Sequence, residues 1–257
     1  MALRRYAFMA RIAARQQLTY RSEFVLRAVS MVIFMGIFMA LWRTVYTAQG
    51  VTSLSGYTLT TMLWYLAITE TIALSTSRIF LEIAETVRSG AVAYTLTRPA
   101  PYPLLQLANS LGTTLPRCAI NLVTAVIVVG LGVGFQVGSL PGALAALPLD
   151  ALIAVLIGLL AFWMEEVVPV FWIYQKLLFT VGGLFLPLEF FPDWLRTLSR
   201  WLPFNFITYA PARAWVAYDA AFVRETLVGQ LLYIGLLALI VAGVWQRARR
   251  RLVVQGG

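Results

Sequence analysis

The sequence predicts an all-α, polytopic membrane protein with six transmembrane helices, a short amphipathic helix on the cytoplasmic side, and an external interfacial or re-entrant segment between helices five and six. Three observations predict it. Of 257 residues, 60% are hydrophobic and 12% are charged, whereas a soluble chain is roughly one-quarter charged. The apolar residues come in blocks close to the ~20 residues a helix needs to cross a bilayer. The arginines cluster in a few segments between those blocks, which is how membrane topology is written. A single transmembrane domain over residues 1–257 accounts for the chain.

At the start, residues 3–14 place apolar and basic residues at helical spacing, with Arg4, Arg11 and Arg15 on one face. That suits a helix lying on the anionic inner leaflet, or equally the basic flank of a first span. Charges continue through Arg15, Arg21 and Arg27, so no removable signal peptide is expected. The spans are predicted at residues 24–45, 57–75, 104–135, 143–164, 168–188 and 227–245, the third being long enough to tilt.

Orientation follows from the arginines. Arg4, Arg5, Arg11, Arg15 and Arg21 precede the first span, Arg78, Arg88 and Arg98 follow the second, and Arg247, Arg249, Arg250 and Arg251 form the tail. Six spans put all three groups on one side, so both termini are expected in the cytoplasm. Opposite them, the loops near Gln49 and Ser139 carry no charge. The loop at 189–226 does carry Arg196, Arg200, Arg213 and Arg224, partly balanced by Asp193, Asp219 and Glu225. Within it, PLEFFPDWLRTLSRWLPFNFITYAPARAW (187–215) is too broken by prolines to span. Its aromatic rings beside arginines favour the headgroup level, so short interfacial or re-entrant helices are expected there.

Between the second and third spans stands IAETVRSGAVAYTLTRPAPYP (83–103). Phe80, Ile83, Ala84 and Val87 fall at i, i+3, i+4 and i+7, with Glu82, Glu85, Arg88 and Ser89 on other faces. This is a short amphipathic helix that Gly90 stops. The chain beyond is expected to be extended, with Pro99, Pro101 and Pro103 stiffening the approach to span three. Such a projection either packs on the membrane surface or passes force from a soluble partner into the two spans it joins.

Several function classes fall away. The net charge of +9 lies in segments beside the spans, so it reads as topology and no nucleic-acid partner is expected. The single cysteine, Cys118, has no internal partner for a disulfide, and a chain without histidine lacks the commonest metal ligand and general base. No GxxxxGK[ST] phosphate loop is present, so any ATP is bound elsewhere.

VRSGAVAYTLTRPAPYP (87–103) is similar to the cytoplasmic loop of the integral membrane subunits of ABC-2-type exporters. There a short coupling helix is followed by a glycine and a leucine-x-arginine-proline closure, here Leu96 to Pro99. GGLFLPLEFFPDWLRTLSRWLPF (182–204) resembles the segment that leaves the family's fifth helix. The likeness covers the whole chain in layout and these two stretches in residues. It implies a non-catalytic permease in the bacterial cytoplasmic membrane, paired with a second permease, identical or a sister chain, and with two ATPase subunits that bind ATP and Mg. This chain would bind no cofactor itself, and membrane lipid would be its other partner. By resemblance Glu82, Glu85, Arg88, Gly90, Arg98 and Pro99 couple to the ATPase, Glu85 and Arg88 as polar contacts. A secondary transporter or channel is the alternative, though no inverted repeat is evident. An ABC importer permease is another, but Ala84, Glu85 and Thr86 before Gly90 match its "EAA, three residues, glycine" loop poorly.

Charged groups inside lipid cost roughly 2.5 to 3.5 kcal/mol on insertion scales and need partners or a wet path. Glu70 and Arg117 are expected to form an ion pair between spans two and three. Glu165 and Glu166 occupy the tight turn between spans four and five, either solvated or as a second contact to the ATPase. Lys176 either snorkels to the interface or faces an anionic substrate. No residue pattern selects a cargo.

Overall fold

A computed structural model describes residues 2–19, 21–96, 100–136 and 138–255. In chain order it contains α1 (Ala2–Thr19), α2 (Arg21–Gln49), a hairpin of β1 (Ser53–Leu54) and β2 (Tyr57–Thr58), α3 (Leu59–Ala73), α4 (Ile79–Arg88), α5 (Val92–Leu96), α6 (Tyr102–Val133) and α7 (Leu140–Leu159). There follow α8 (Val168–Thr180), α9 (Asp193–Arg200), α10 (Pro203–Ile207), α11 (Tyr209–Val216) and α12 (Ala220–Gln255). The hairpin is antiparallel, with Ser53 opposite Thr58.

Four helical stretches are long and apolar enough to cross a membrane: Ser22–Gln49, Tyr102–Val133, Leu140–Phe162 and Ala220–Arg251. They overlap the first, third, fourth and sixth predicted spans. The second and fifth differ. The apolar run at 57–75 begins in strand β2, and Thr58 then caps α3 in a reciprocal pair with Thr61. At 15 residues α3 is about 22 Å long, short of the ~30 Å hydrocarbon core. Every residue from Met62 to Ile72 is buried, so α3 is sheathed by protein and has no apolar stripe to match to lipid.

The fifth predicted span, 168–188, is helical only to Thr180. Gly183 then turns the chain with φ +73°. The carbonyls freed by the helix end are caught from the side. Thr208 Oγ1 donates to the Gly182 oxygen at 2.5 Å, the Tyr209 amide to the same oxygen at 3.1 Å, and the Tyr65 hydroxyl to the Gly183 oxygen. Irregular backbone is tolerated at membrane depth where protein satisfies it in this way.

α1 lies across α6 at a contact of small residues. A Cβ on Gly112 would sit 2.8 Å from the Cα of Ala10 and as close to the Cβ of Ala13, so only glycine allows this approach. Ala13 is buried there, while Arg4, Arg11 and Arg15 stay exposed. At the far end of the bundle Trp64 stacks on Trp215 with centroids 6.2 Å apart, and its Nε1 donates to the Gly134 oxygen at 3.0 Å. Residues 188–216 there form a 3-10 turn and α9 to α11. Glu189 holds this region together. It accepts from the Tyr209 hydroxyl at 2.6 Å and the Tyr57 hydroxyl at 3.2 Å, and Arg213 Nε lies 3.4 Å away. Burial raises the pKa of both phenols, which keeps them protonated as donors.

Candidate functional site

The predicted amphipathic helix is α4. Ile79, Phe80, Ile83 and Ala84 are buried, whereas Glu82, Glu85 and Arg88 are exposed. Phe80 stacks on Phe171 of α8 with ring centroids 4.1 Å apart. Ile83 rests on Gly158 of α7, where an added Cβ would meet Ile83 Cβ at 2.8 Å. The apolar face of α4 is therefore seated on α7 and α8, although the chain connects it to α3 and, through α5, to α6. Force applied to it reaches α7 and α8 through packing, a route the order of the spans does not suggest.

The helix ends with the Ser89 amide donating to the Glu85 oxygen at 2.9 Å and Gly90 at φ +72°, the left-handed geometry that glycine adopts without strain. The segment after Gly90 is not extended as its prolines suggest. It forms α5, started by the Ala93 amide on the Gly90 oxygen at 3.1 Å; the alanines flanking Val92 favour a helical turn. Arg98 and Pro99 lie outside the described residues.

Arg88 joins this helix to the turn between α7 and α8. Its Nη1 is 3.0 Å from Glu166 Oε1, and its Nη2 is 3.6 Å from Glu85 Oε2. A hollow of about 520 Å³ beside them is also lined by Glu165, Trp163 and Arg251. Arg251 Nη1 donates to the Phe162 oxygen at 3.0 Å, with its guanidinium 5.7 Å from the Trp163 ring. The end of α4, the α7–α8 turn and the tail of α12 thus form one charged surface, with Glu165 and Glu166 exposed on it.

Arg117 does not pair with Glu70. Its Nη2 lies 3.2 Å from Glu23 Oε1 and donates to Gln17 Oε1 at 2.9 Å. Glu23 also holds Arg27, whose Nη2 is 2.7 Å away, and accepts from Gln17 Nε2 at 2.5 Å. Arg27 Nη1 in turn donates to the Leu74 oxygen at 2.9 Å, capping α3 with a cation where its dipole is negative. The node fastens α1, α2, α3 and α6 at one level. Glu70 lies deeper, buried at 4% exposure, beside a cavity of about 140 Å³ lined by Phe34, Tyr174 and Phe179. The sequence signal for the true partner is Glu23 four residues before Arg27, an i,i+4 pair at the foot of the first long helix.

Lys176 stands on the exposed side of α8, 5.5 Å from the Phe179 ring centroid, and does not line this small cavity. Glu82 accepts from Asn109 Nδ2 at 3.1 Å. The carboxyl end lies against neighbouring protein although the residue as a whole is exposed, and that partial desolvation raises its pKa, against the lowering effect of the Asn109 hydrogen bond and of Arg117. A buried carboxylate that sequence reasoning missed is Asp150, in the middle of α7, which accepts the hydroxyl of Tyr174 from α8. Its only signal is a single charge inside the apolar run LPLDALIAVLIGLL.

Between α2 and α8, floored by the end of α3, runs a groove. Its wide end, near α4, has a volume of about 910 Å³ and is lined by Arg27, Arg78, Arg117, Glu23 and Glu82 among others. It shares Ala73, Leu74, Thr76, Phe171 and Gln175 with the small cavity beside Glu70, so the two are continuous.

The sequence model of the family described as ABC-2 family transporter protein matches residues 21–256. No curated protein matches the chain.

Proposed function

The chain belongs to the ABC-2 family of transporter proteins, and on that premise we propose that it is one permease of an ATP-driven exporter in the bacterial cytoplasmic membrane. It crosses six times, with both termini, α4 and the α7–α8 turn in the cytoplasm. The four long helices make four crossings; α3 and the α8 segment, bedded in protein, make the others. Two ATPase subunits carry ATP and Mg, and a second permease completes the path. α9, with exposed Trp194 and the exposed Trp201 that follows its last turn, rests at the outer headgroups.

The observation that carries this reading is the seat of α4. Its apolar face is fixed on α7 and α8 while Glu85 and Arg88 point outward at the arginine-rich end. That is the form of a lever, rigid on one side and open to a partner on the other. ATP-driven closure of the ATPase dimer pushes α4, and the push tilts α7 and α8 against the opposing permease so that a path opens outward.

The test is site-directed cross-linking. Cys118 is buried, so a Cys118→Ser chain carrying Glu85→Cys has one reactive thiol on α4. In native membranes it should cross-link to an ATP-binding subunit, and a helix break by Ala84→Pro should abolish stimulation of that subunit's hydrolysis. Stimulation that survives a broken α4, or an introduced thiol reached only by reagents from outside the cell, would sink the proposal.

A further inference from the structure

Resting on the permease reading, we propose that the second permease is a second copy of this chain, and that Lys176 of each copy enters the small cavity of the other to pair with Glu70. Two unpaired charges of opposite sign carry the inference. Glu70 is 4% exposed and lines the cavity of about 140 Å³ between α2, α3 and α8. Its carboxylate makes neither a hydrogen bond nor an ion pair with any described residue. Lys176 has no acidic partner among them either; its ammonium lies 5.5 Å from the Phe179 ring centroid, on the exposed side of α8. It stands about 12 Å along α8 from Val168 at helical rise, a depth where a lone charge is costly and calls for a partner.

The two charges share one surface. Phe34, Gln175 and Phe185 line the cavity and are themselves exposed, so it opens outward between α2 and α8. Lys176 follows Gln175 directly yet is turned away from the cavity of its own chain. A surface with an unpaired cation beside an unpaired anion is its own complement under a two-fold axis, where residue i meets j and j meets i. One rotation makes both pairs at once. Lysine suits the entry, because its four methylenes cross the apolar mouth beside Phe34 and Phe185 while the ammonium reaches Glu70. The Gln175 amide oxygen, bonded to no described residue, accepts another of the ammonium protons. Both charges already lie within the membrane, so the pair does not incur the desolvation that a pair drawn from water would. Ile33 and Ile37 of α2 and Trp172 and Ile173 of α8, all exposed, pack around it. Since α4 rests on α8 through Phe80 and Phe171, the two pairs also join the levers of the two copies.

Charge exchange tests the pairing. Two differently tagged full chains are expressed together, and one tag is used to recover the other from solubilised membranes. Parent chains should co-purify. Lys176→Glu in both tagged chains should cut recovery by about tenfold or more, since each dimer then holds two pairs of like charges, and Glu70→Lys in both should do the same. Lys176→Glu in one tagged chain with Glu70→Lys in the other should restore recovery. Every pair across the interface is then again of opposite sign, whereas within each chain the charges at 70 and 176 are alike, so rescue cannot come from an internal pair. Should Glu70→Lys fail to accumulate, thiols give the same answer: in Cys118→Ser chains, Glu70→Cys under one tag and Lys176→Cys under the other should be joined by a short bismaleimide into a product bearing both tags. Parent chains that do not co-purify, single exchanges that leave recovery unchanged, a mixture of accumulating chains no better than the singles, or no doubly tagged product would overturn the proposal. Recovery of a different permease in place of a second copy would overturn it too, yet leave the permease reading intact. Failure of the α4 cross-link would instead sink that reading and leave the copy-to-copy pair as found.

Discussion

Ile83 lies on Gly158 so closely that a methyl group placed on the glycine would sit 2.8 Å from the isoleucine Cβ. The contact fixes where α4 can rest. Protein interiors are packed as densely as organic crystals, and with Phe80 stacked on Phe171 at 4.1 Å the helix is pinned at two points one turn apart. A helix pinned twice cannot slide over its support without taking the support with it. At this junction α4 and the two helices beneath it, α7 and α8, are one packed unit.

Gly158→Val fills that seat. Overpacking of this kind costs about 1 to 3 kcal/mol, and relief requires α4 to lift. The variant should unfold at lower temperature and lose coupling to the ATPase, while Ile83→Ala placed on top of it should recover part of both. Thermal unfolding in detergent and stimulated ATP hydrolysis measure the two effects. A variant as stable and as coupled as the parent would mean that α4 does not sit where Gly158 places it.

The Arg88 to Glu166 pair is exposed, at 43% and 62% of the two side chains, and exposed pairs contribute roughly 0 to 1 kcal/mol. Arg88→Glu should thus change unfolding by less than about 1 kcal/mol, yet impair the functional assembly severalfold if this surface meets the ATPase. Adding Glu166→Arg restores the pair without restoring the original charge pattern. Full recovery in the double variant would assign the pair a purely internal role; continued impairment supports contact with the partner.

What the sequence made legible is instructive at α4. Four apolar residues at helical spacing followed by glycine are local information, and helix formation and its stop are local events. The extended segment expected after Gly90 fails because the proline signals at 99, 101 and 103 do not reach back to Ala91 and Ala93, several residues earlier, whose strong helix propensity carries Val92 into a helical turn. The pairing of Arg117 is hidden for a different reason. Depth in a bilayer constrains which groups lie at one level, but Glu23 reads as part of a flank, and only the crossing of α1 over α6 at Gly112 shows that the flank reaches this level. Burial of α3 on all sides likewise depends on where the other helices go, so the apolar run that reads as a full span folds as a 15-residue helix sheathed by protein. The groove has no sequence signature, since its walls come from α2, α3, α6 and α8.

Breaking the node at Glu23 distinguishes the two pairings directly. Arg117→Gln and Glu23→Gln should couple, with an interaction of about 0.5 to 3 kcal/mol as residues in one network show, whereas Arg117→Gln and Glu70→Gln should add to within roughly 0.5 kcal/mol. The comparison uses unfolding of the single and double variants beside the parent. Additivity at Glu23, or coupling at Glu70, would reverse the assignment made from the geometry.

Asp150 and Tyr174 offer the last test, because both are buried and joined by one hydrogen bond. Tyr174→Phe keeps the ring against Phe171 and Phe204, each with its centroid 6.0 Å away, and removes only the donor. Leaving a buried acceptor short of a partner costs about 1 to 3 kcal/mol, so the variant should melt lower with its packing unchanged. Asp150→Asn retains an acceptor oxygen for the tyrosine and sheds the charge, so it should be the milder change. The bond ties α7 to α8, the two helices on which α4 rests. If it carries part of the lever's stroke, Tyr174→Phe should also loosen coupling, lowering stimulated hydrolysis more than Asp150→Asn does. A Tyr174→Phe chain with unaltered melting and unaltered stimulation would show that α7 and α8 are held together by packing alone.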